Sequence, residues 1–335
     1  MSKILVTGGT GLVGSHLLYH LTQQGCSPIA IKRKESDIQN VNKIFRYYSS
    51  KHNILFNKIS WVECDILDLL KLENIIESTE YIYHCAAFIS FNNSDKEKML
   101  NVNTTGTTNI IDLSLKHNIK RLCFVSSIAT LGVNNNLPVH ENCIWQWKDQ
   151  SGYAISKYLA EIEVWRGFAE GLSGFIVNPS LIIGPGSWES GIGTIIQKIK
   201  WGLPFYPNGS CGLIDVSDLA KIMVKLMNSD ITNERFIINA EHMSYKKLMC
   251  TVANSLHRPP PFIKTPNWLM KLFIYLDIFI SKIRGRRIEL STDAIKHTTS
   301  NIILDTSKIN QTINFQYNSI EESLKNCVKI FNNNT

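Results

Sequence analysis

The chain has 335 residues, 44% hydrophobic and 19% charged, which is enough apolar material for a sizeable folded core and unlike a disordered chain. Its net charge of +7 comes from dispersed lysines and arginines with no basic stripe interleaved with aromatics, so nucleic-acid binding is not expected. No uncharged apolar run reaches the length of a membrane span, and the apolar stretch in "MSKILVTGG" is too short for a signal peptide, which points to the cytoplasm.

Short β-branched runs alternate with helical patterns through the first half. The predicted strands are "KILVT" (3–7), "PIAIK" (28–32), "ISWVEC" (59–64), "YIYHCA" (81–86), "RLCFVSS" (121–127) and "GFIVNP" (174–179). Amphipathic stretches such as 14–24 and 102–117 lie between them. Strands alternating with helices of that length imply an α/β chain with a doubly wound parallel sheet. The alternation loosens after Pro179, in the Gly- and Pro-rich "NPSLIIGPGSWESGIG". We therefore expect a dinucleotide-binding Rossmann domain over 1–178 and 212–240, and a smaller C-terminal substrate lobe over 179–211 and 241–330. The eight cysteines are scattered without CxxC or His/Cys ligand spacing, so they read as free thiols and no metal site is expected.

The glycines Gly8, Gly11 and Gly14 follow the first strand at three-residue intervals and open the first helix. There a side chain would obstruct a tight turn, a pyrophosphate or helix–strand packing, and the helix N-terminus offers free N–H groups to the anion. With Thr10, Leu12 and Val13 they form a candidate dinucleotide cradle. At the end of the second strand, where an acid would suit a ribose 2′-hydroxyl, the chain reads "IAIKRKES". Lys32, Arg33 and Lys34 supply cations for a 2′-phosphate instead, Arg33 foremost. NADP(H) is the favoured cofactor, with NAD(H) the alternative.

Further on, "SGYAISKYLAE" puts Tyr153 and Lys157 four residues apart, on one face of a helix. An ammonium beside a phenol is expected to lower its pKa, so the phenol can exchange a proton with a substrate oxygen. Ser127, 26 residues before Tyr153, ends the fifth strand, where ligands bind in such sheets.

Together "TGGTGLVG", "CDILD", "YIYHCAA", "NVNTTGTTNII", "FVSSIATLG", "YAISKYLAE", "NPSLIIGPG" and "LIDVSDLA" resemble the extended short-chain dehydrogenase/reductases, the NAD-dependent epimerase/dehydratase type, over nearly the whole chain. The resemblance implies that Tyr153 is the acid/base, that Lys157 holds the nicotinamide ribose, and that Ser127 hydrogen-bonds the substrate oxygen. It also implies that Asn103 supports the catalytic helix, that Asp65 and Ile66 border the adenine, that Ala86 and Ala87 line the cofactor, and that Pro179 and Ser180 lie near the nicotinamide amide. Nucleotide-sugar epimerases of this family usually have tyrosine where this chain has Leu131. The basic end of the second strand, "NPSLIIGPG" and "LIDVSDLA" look more like the dihydroflavonol-reductase-like and hydroxysteroid-dehydrogenase-like branch.

The expected function is therefore NADP(H)-dependent interconversion of a carbonyl and a secondary alcohol on a small, fairly apolar molecule. The alternatives are a nucleotide-sugar epimerase or dehydratase with tightly held NAD, and a non-catalytic cofactor sensor. Trp145 and Trp147 are read either as an aromatic wall for substrate or as ordinary packing. The apolar stretch 266–283 is read as a lobe helix, a pocket lid or a membrane-surface contact. His84 is read as a satisfied core residue. Relatives of this type often dimerise through two helices per partner, which here implies 102–117 and 152–171 in a homodimer.

Overall fold

The computed structural model describes residues 3–90, 92–133, 138–186, 188, 191–266 and 298–334; nearly all of the apolar stretch 266–283 falls outside them. In chain order the first half runs β1 (Ile4–Thr7), α1 (Leu12–Gln23), β2 (Ile29–Lys32), α2 (Ile38–Tyr48), α3 (His52–Phe56), β3 (Ser60–Glu63), α4 (Leu69–Ile76), β4 (Tyr81–His84), α5 (Lys96–Leu100), α6 (Gly106–Lys116), β5 (Arg121–Val125), α7 (Gly152–Ala169) and β6 (Gly174–Pro179). The second half contains β7 (Leu181–Ile183), α8 (Ile192–Lys200), β8 (Phe205–Tyr206), β9 (Ser210–Asp215), α9 (Val216–Met227), β10 (Glu234–Ile238), β11 (Glu241–Ser244), α10 (Tyr245–Ser255), β12 (Ile263–Lys264), α11 (Ser307–Thr312) and α12 (Ile320–Asn334).

Seven strands form one parallel sheet in the order β10-β6-β5-β4-β1-β2-β3. Strand order reverses between β1 and β4, so the loops leaving those two strands diverge and open a crevice at the carboxyl end of the sheet. The strands are short and β-branched, and β6 is buried along its whole length, as expected for a sheet covered on both faces. One face packs against α1 and α9 through Leu17, Leu18, Leu21, Leu219, Met223 and their neighbours. The other packs against α4, α6 and α7 through Leu72, Ile76, Ile110, Ile111, Ala160 and Val164.

A second, three-stranded sheet, β11-β9-β7, carries its own apolar cluster with α8, α10 and α12. All six predicted strands are present in the main sheet. Its seventh, β10, lies beyond the point where the alternation loosens and gives no strong period in sequence, yet Phe236, Ile237 and Ile238 are fully buried beside β6.

The glycine turn fixes how α1 sits on the sheet. A Cβ on Gly14 would lie 2.2 Å from the Gly8 carbonyl oxygen, so α1 rests directly on the turn that starts it. Gly14→Ala must push helix from strand, and it should cost near the upper end of about 1–3 kcal/mol. Chemical denaturation checks this, and an unfolding midpoint matching wild type would show that α1 is free to shift.

Candidate active site

The cofactor cradle is built at the carboxyl ends of β1 and β4. Gly8 has φ +66°, and a Cβ there would come within 2.7 Å of the Ala86 backbone nitrogen. Glycine is thus required twice over, by backbone conformation and by contact. Gly11 donates its N–H to the Gly8 carbonyl (2.9 Å), and a Cβ on it would meet only that oxygen, at 3.2 Å. Gly11 also N-caps α1 without a side-chain cap, so the first N–H groups of the helix remain available for an anion. The cradle suits a pyrophosphate on this geometry alone.

Beneath it runs a directional chain of hydrogen bonds. The Ala86 N–H donates to the Thr7 hydroxyl (3.2 Å), and Thr7 Oγ1 lies 2.7 Å from His84 Nδ1. His84 Nε2 lies 3.0 Å from the Thr107 hydroxyl, which itself donates to the Asn103 carbonyl at 2.5 Å. Since the Thr107 hydrogen is committed to Asn103, His84 carries its proton on Nε2 and accepts from Thr7 on Nδ1. His84 is fully buried, and desolvation, with the Lys157 charge adding to it, brings its pKa down to about 3. It is a neutral, satisfied tie between the cradle and the helix carrying Asn103. Asn103, in a π-helical turn at Asn101–Thr105, accepts from the Phe88 N–H (2.7 Å) and donates to the Phe88 carbonyl (2.9 Å) and the Ser156 hydroxyl (3.0 Å). It fastens the loop after β4 to α7.

The other expected cofactor residues lie at or just past the ends of β2, β3, β4 and β6 and at the start of α1. Arg33 is exposed at the end of β2, while Lys32 is 3.9 Å from Glu63, which leaves Arg33 the better placed of the two for an incoming anion. Asp65 accepts from the Leu67 N–H (2.9 Å) and is exposed, and the Ile66 carbonyl accepts from Asn109 (3.0 Å). Ile66 also lies where a Cβ on Gly106 would sit, its Cδ1 only 2.4 Å away. Ala86 and the exposed Ala87 continue β4, and Pro179 and Ser180 are buried at the end of β6. Among the described residues the Ser180 hydroxyl has no hydrogen-bond partner. Thr10 sits partly buried at the turn, Val13 packs into the core, and Leu12 is where a Cβ on Gly186 would strike (2.8 Å).

Ser127, Tyr153 and Lys157 meet at the end of β5. Ser151 caps α7 through the Ala154 N–H (3.0 Å), which sets the helix phase that turns Tyr153 and Lys157 inward. The Tyr153 phenol hydrogen-bonds Ser127, which draws its pKa down, but burial dominates and raises it. The net direction is upward, opposite to that expected from an ammonium beside the phenol; the Lys157 ammonium itself donates to the Val125 carbonyl (2.8 Å) and stands 4.3 Å from the Phe124 ring centroid. Lys157 is itself nearly fully buried, and desolvation brings it to about 8 against the opposing pull of Glu161 and Cys85. Tyr153 is therefore protonated at neutral pH in the ligand-free protein. Ser126 points elsewhere, to Glu161 (2.5 Å).

A model of the NAD dependent epimerase/dehydratase family matches residues 4–239. The chain belongs to that family. As a member of the NAD dependent epimerase/dehydratase family it is an NAD(P)-dependent enzyme of the extended short-chain dehydrogenase/reductase type. It is 28% identical to a putative dihydroflavonol 4-reductase of Synechocystis over 98% of this chain and 94% of that protein. It is 24% identical to the UDP-glucose 4-epimerase of Vibrio cholerae over 98% and 95%. The fold superimposes on the crystal structure of gox2253 with a TM-score of 0.82 at 21% identity, covering 100% of this chain and 99% of that one. Against the UDP-glucose 4-epimerase of Thermotoga maritima the TM-score is 0.78 at 20% identity, covering 99% of both chains.

Trp145 stacks on Tyr158 (centroids 4.2 Å, 8°) with Trp147 edge-on to both. Tyr158 is five residues past Tyr153, about 140° around the helix, so this cluster packs on another face of α7. The ties of His84 to Thr7 and Thr107, and the ion pair of Glu161 with Arg235 (2.8 Å), gave no signal in sequence, since their partners lie far along the chain.

His84 should stay neutral in the Nε2–H form down to about pH 4, read from its ring nitrogen shifts by NMR; protonation near the ordinary value of 6.5 would break the chain drawn here. His16 and His20 are likewise held low by burial, at about 4 and about 3. The unfolded chain protonates all three near 6.5 while the folded one does not, so their contribution to stability is lost as pH falls below that value.

Proposed function

We propose that the enzyme reduces a carbonyl, or oxidises the matching secondary alcohol, on a small and fairly apolar molecule with NADP(H) as coenzyme. The observation that carries this reading is the Ser127–Tyr153 hydrogen bond at the sheet's carboxyl end, next to buried Lys157. When bound, the nicotinamide supplies or takes the hydride.

Ser127 then donates a hydrogen bond to the substrate oxygen, and Tyr153 gives that oxygen its proton. Burial keeps the Tyr153 phenol protonated at neutral pH, the form that carbonyl reduction requires of a general acid. Lys157 would hold the nicotinamide ribose, and its charge would stabilise the tyrosinate. Gly8 to Gly14 take the pyrophosphate, Arg33 the 2′-phosphate, Asp65 and Ile66 the adenine, Ala86 and Ala87 one wall, and Pro179 and Ser180 the carboxamide. The unpartnered Ser180 hydroxyl supports the last assignment. The three-stranded sheet and its helices form the substrate lobe, and α6 and α7 pair two copies into a homodimer.

Leu131, buried with Val139, Cys143, Ile237 and Leu304, supports the reductase reading over the nucleotide-sugar one, since no phenol stands at that position.

Tyr153→Phe should lower turnover by about 10²–10⁴-fold with NADPH affinity nearly unchanged, measured by steady-state kinetics and fluorescence titration; wild-type-like turnover would discard the mechanism. Arg33→Ala should weaken NADPH binding about tenfold and leave NADH binding alone. Stoichiometric NAD released on denaturing the purified protein would favour the epimerase reading instead.

A further inference from the structure

Glu161 follows Lys157 by four residues and Tyr153 by eight, so the three lie along one stripe of α7. Its side chain is only 2% exposed, and a carboxylate in such a place must be paired and hydrogen-bonded. Donors reach it from four other parts of the fold. On Oε2 these are Ser126 after β5 (2.5 Å), Thr130 in the turn that follows (2.8 Å), and Asn178 on β6 (2.9 Å). On Oε1 they are Arg235 on β10 (2.8 Å) and, from its own helix, Trp165 (3.5 Å). Arg235 is secured in turn by the Glu141 carbonyl, and the Glu141 carboxylate accepts from the Ile237 N–H (2.9 Å).

Two of these donors also grip Ser127. Asn178 donates to the Ser127 carbonyl (3.1 Å), and so does the Thr130 backbone N–H (3.1 Å). The carboxylate also raises the pKa of Lys157, four residues back on α7, which stands beside the Val125 carbonyl and Phe124 ring on β5, the neutral His84 on β4 and the Cys85 thiol after it. Arg235 on β10 bonds Glu161 through its Oε1.

We propose that Glu161 is a positioning residue of the reaction centre: its one buried charge holds the backbone of Ser127 in place through Asn178 and Thr130, and keeps the Lys157 side chain an ammonium inside the protein. The proposal rests on the roles given above to Ser127 and Lys157. Glutamine cannot substitute, because its amide nitrogen would confront donors whichever way it turned.

The test reads Lys157 directly. Full-length protein carrying ¹³Cε-lysine is titrated by NMR, with the Lys157 signal identified by its loss in Lys157→Arg. The wild-type midpoint should fall near 8, and in Glu161→Gln it should drop by about one pH unit or more. A purely structural role would lower stability and leave that midpoint in place, and an unchanged midpoint in folded Glu161→Gln overturns the proposal.

Should Glu161→Gln fail to fold, Arg235→Met decides. Removing the compensating cation strengthens the field of Glu161, so the Lys157 midpoint should rise; a fall or no change overturns the proposal. NADPH titrations on the same samples separate the two readings. Binding indifferent to pH across the Lys157 midpoint, with that midpoint still governed by Glu161, would remove the ribose role of Lys157 and leave the coupling to Glu161 standing.

Discussion

The approach of the Gly8 backbone to that of Ala86 governs the rest of the site. β1 and β4 run side by side with Thr7 opposite His84, and both chains must leave the sheet at the same level without side chains between them. Only a glycine in the left-handed region allows this. Once it does, the Thr7 hydroxyl can take the Ala86 N–H, His84 can take Thr7, and α1 can begin against the turn itself. A bulkier turn would move the cradle, the loop after β4 and the helix start together, since each is bonded to the next.

From there the polar groups of the interior fall into two systems with different electrostatics. The chain through His84 is neutral, directional and complete, and at about 3 its histidine keeps that state across the working range. The system around Glu161 is ionic. It brings a carboxylate and a guanidinium into the interior beside Ser126 and Asn178, where leaving either alone would be costly, and it spans β5, β6, β10 and α7. The first system holds geometry, whereas the second also holds charge, and Lys157 stands where they meet.

Much of this was legible from local constraint. Gly8, Gly11 and Gly14 betray a turn because the demand for no side chain is written in consecutive residues. Tyr153 and Lys157 share a face by helical period, and the six strands announce themselves by composition. Position alone could not supply the long-range partners: Thr7 and Thr107 for His84, or Ser126, Asn178 and Arg235 for Glu161. For the same reason helical spacing showed Lys157 near Tyr153 but not the burial of the phenol, which raises its pKa in this structure.

The wide turn at Asn101–Thr105 joins α5 to α6 into one continuous helical rod whose two halves are out of phase. Its first half offers Met99 to the interior and its second offers Ile110 and Ile111, while the turn itself delivers Asn103 to Phe88 and Ser156. Such a turn absorbs one extra residue while the helix on either side keeps its packing face. Deleting a single residue there would regularise the rod and leave Met99, Ile110 and Ile111 facing the interior, but nothing would then hold an amide out toward Phe88 and Ser156. The irregularity serves the loop after β4 and not the packing of the rod.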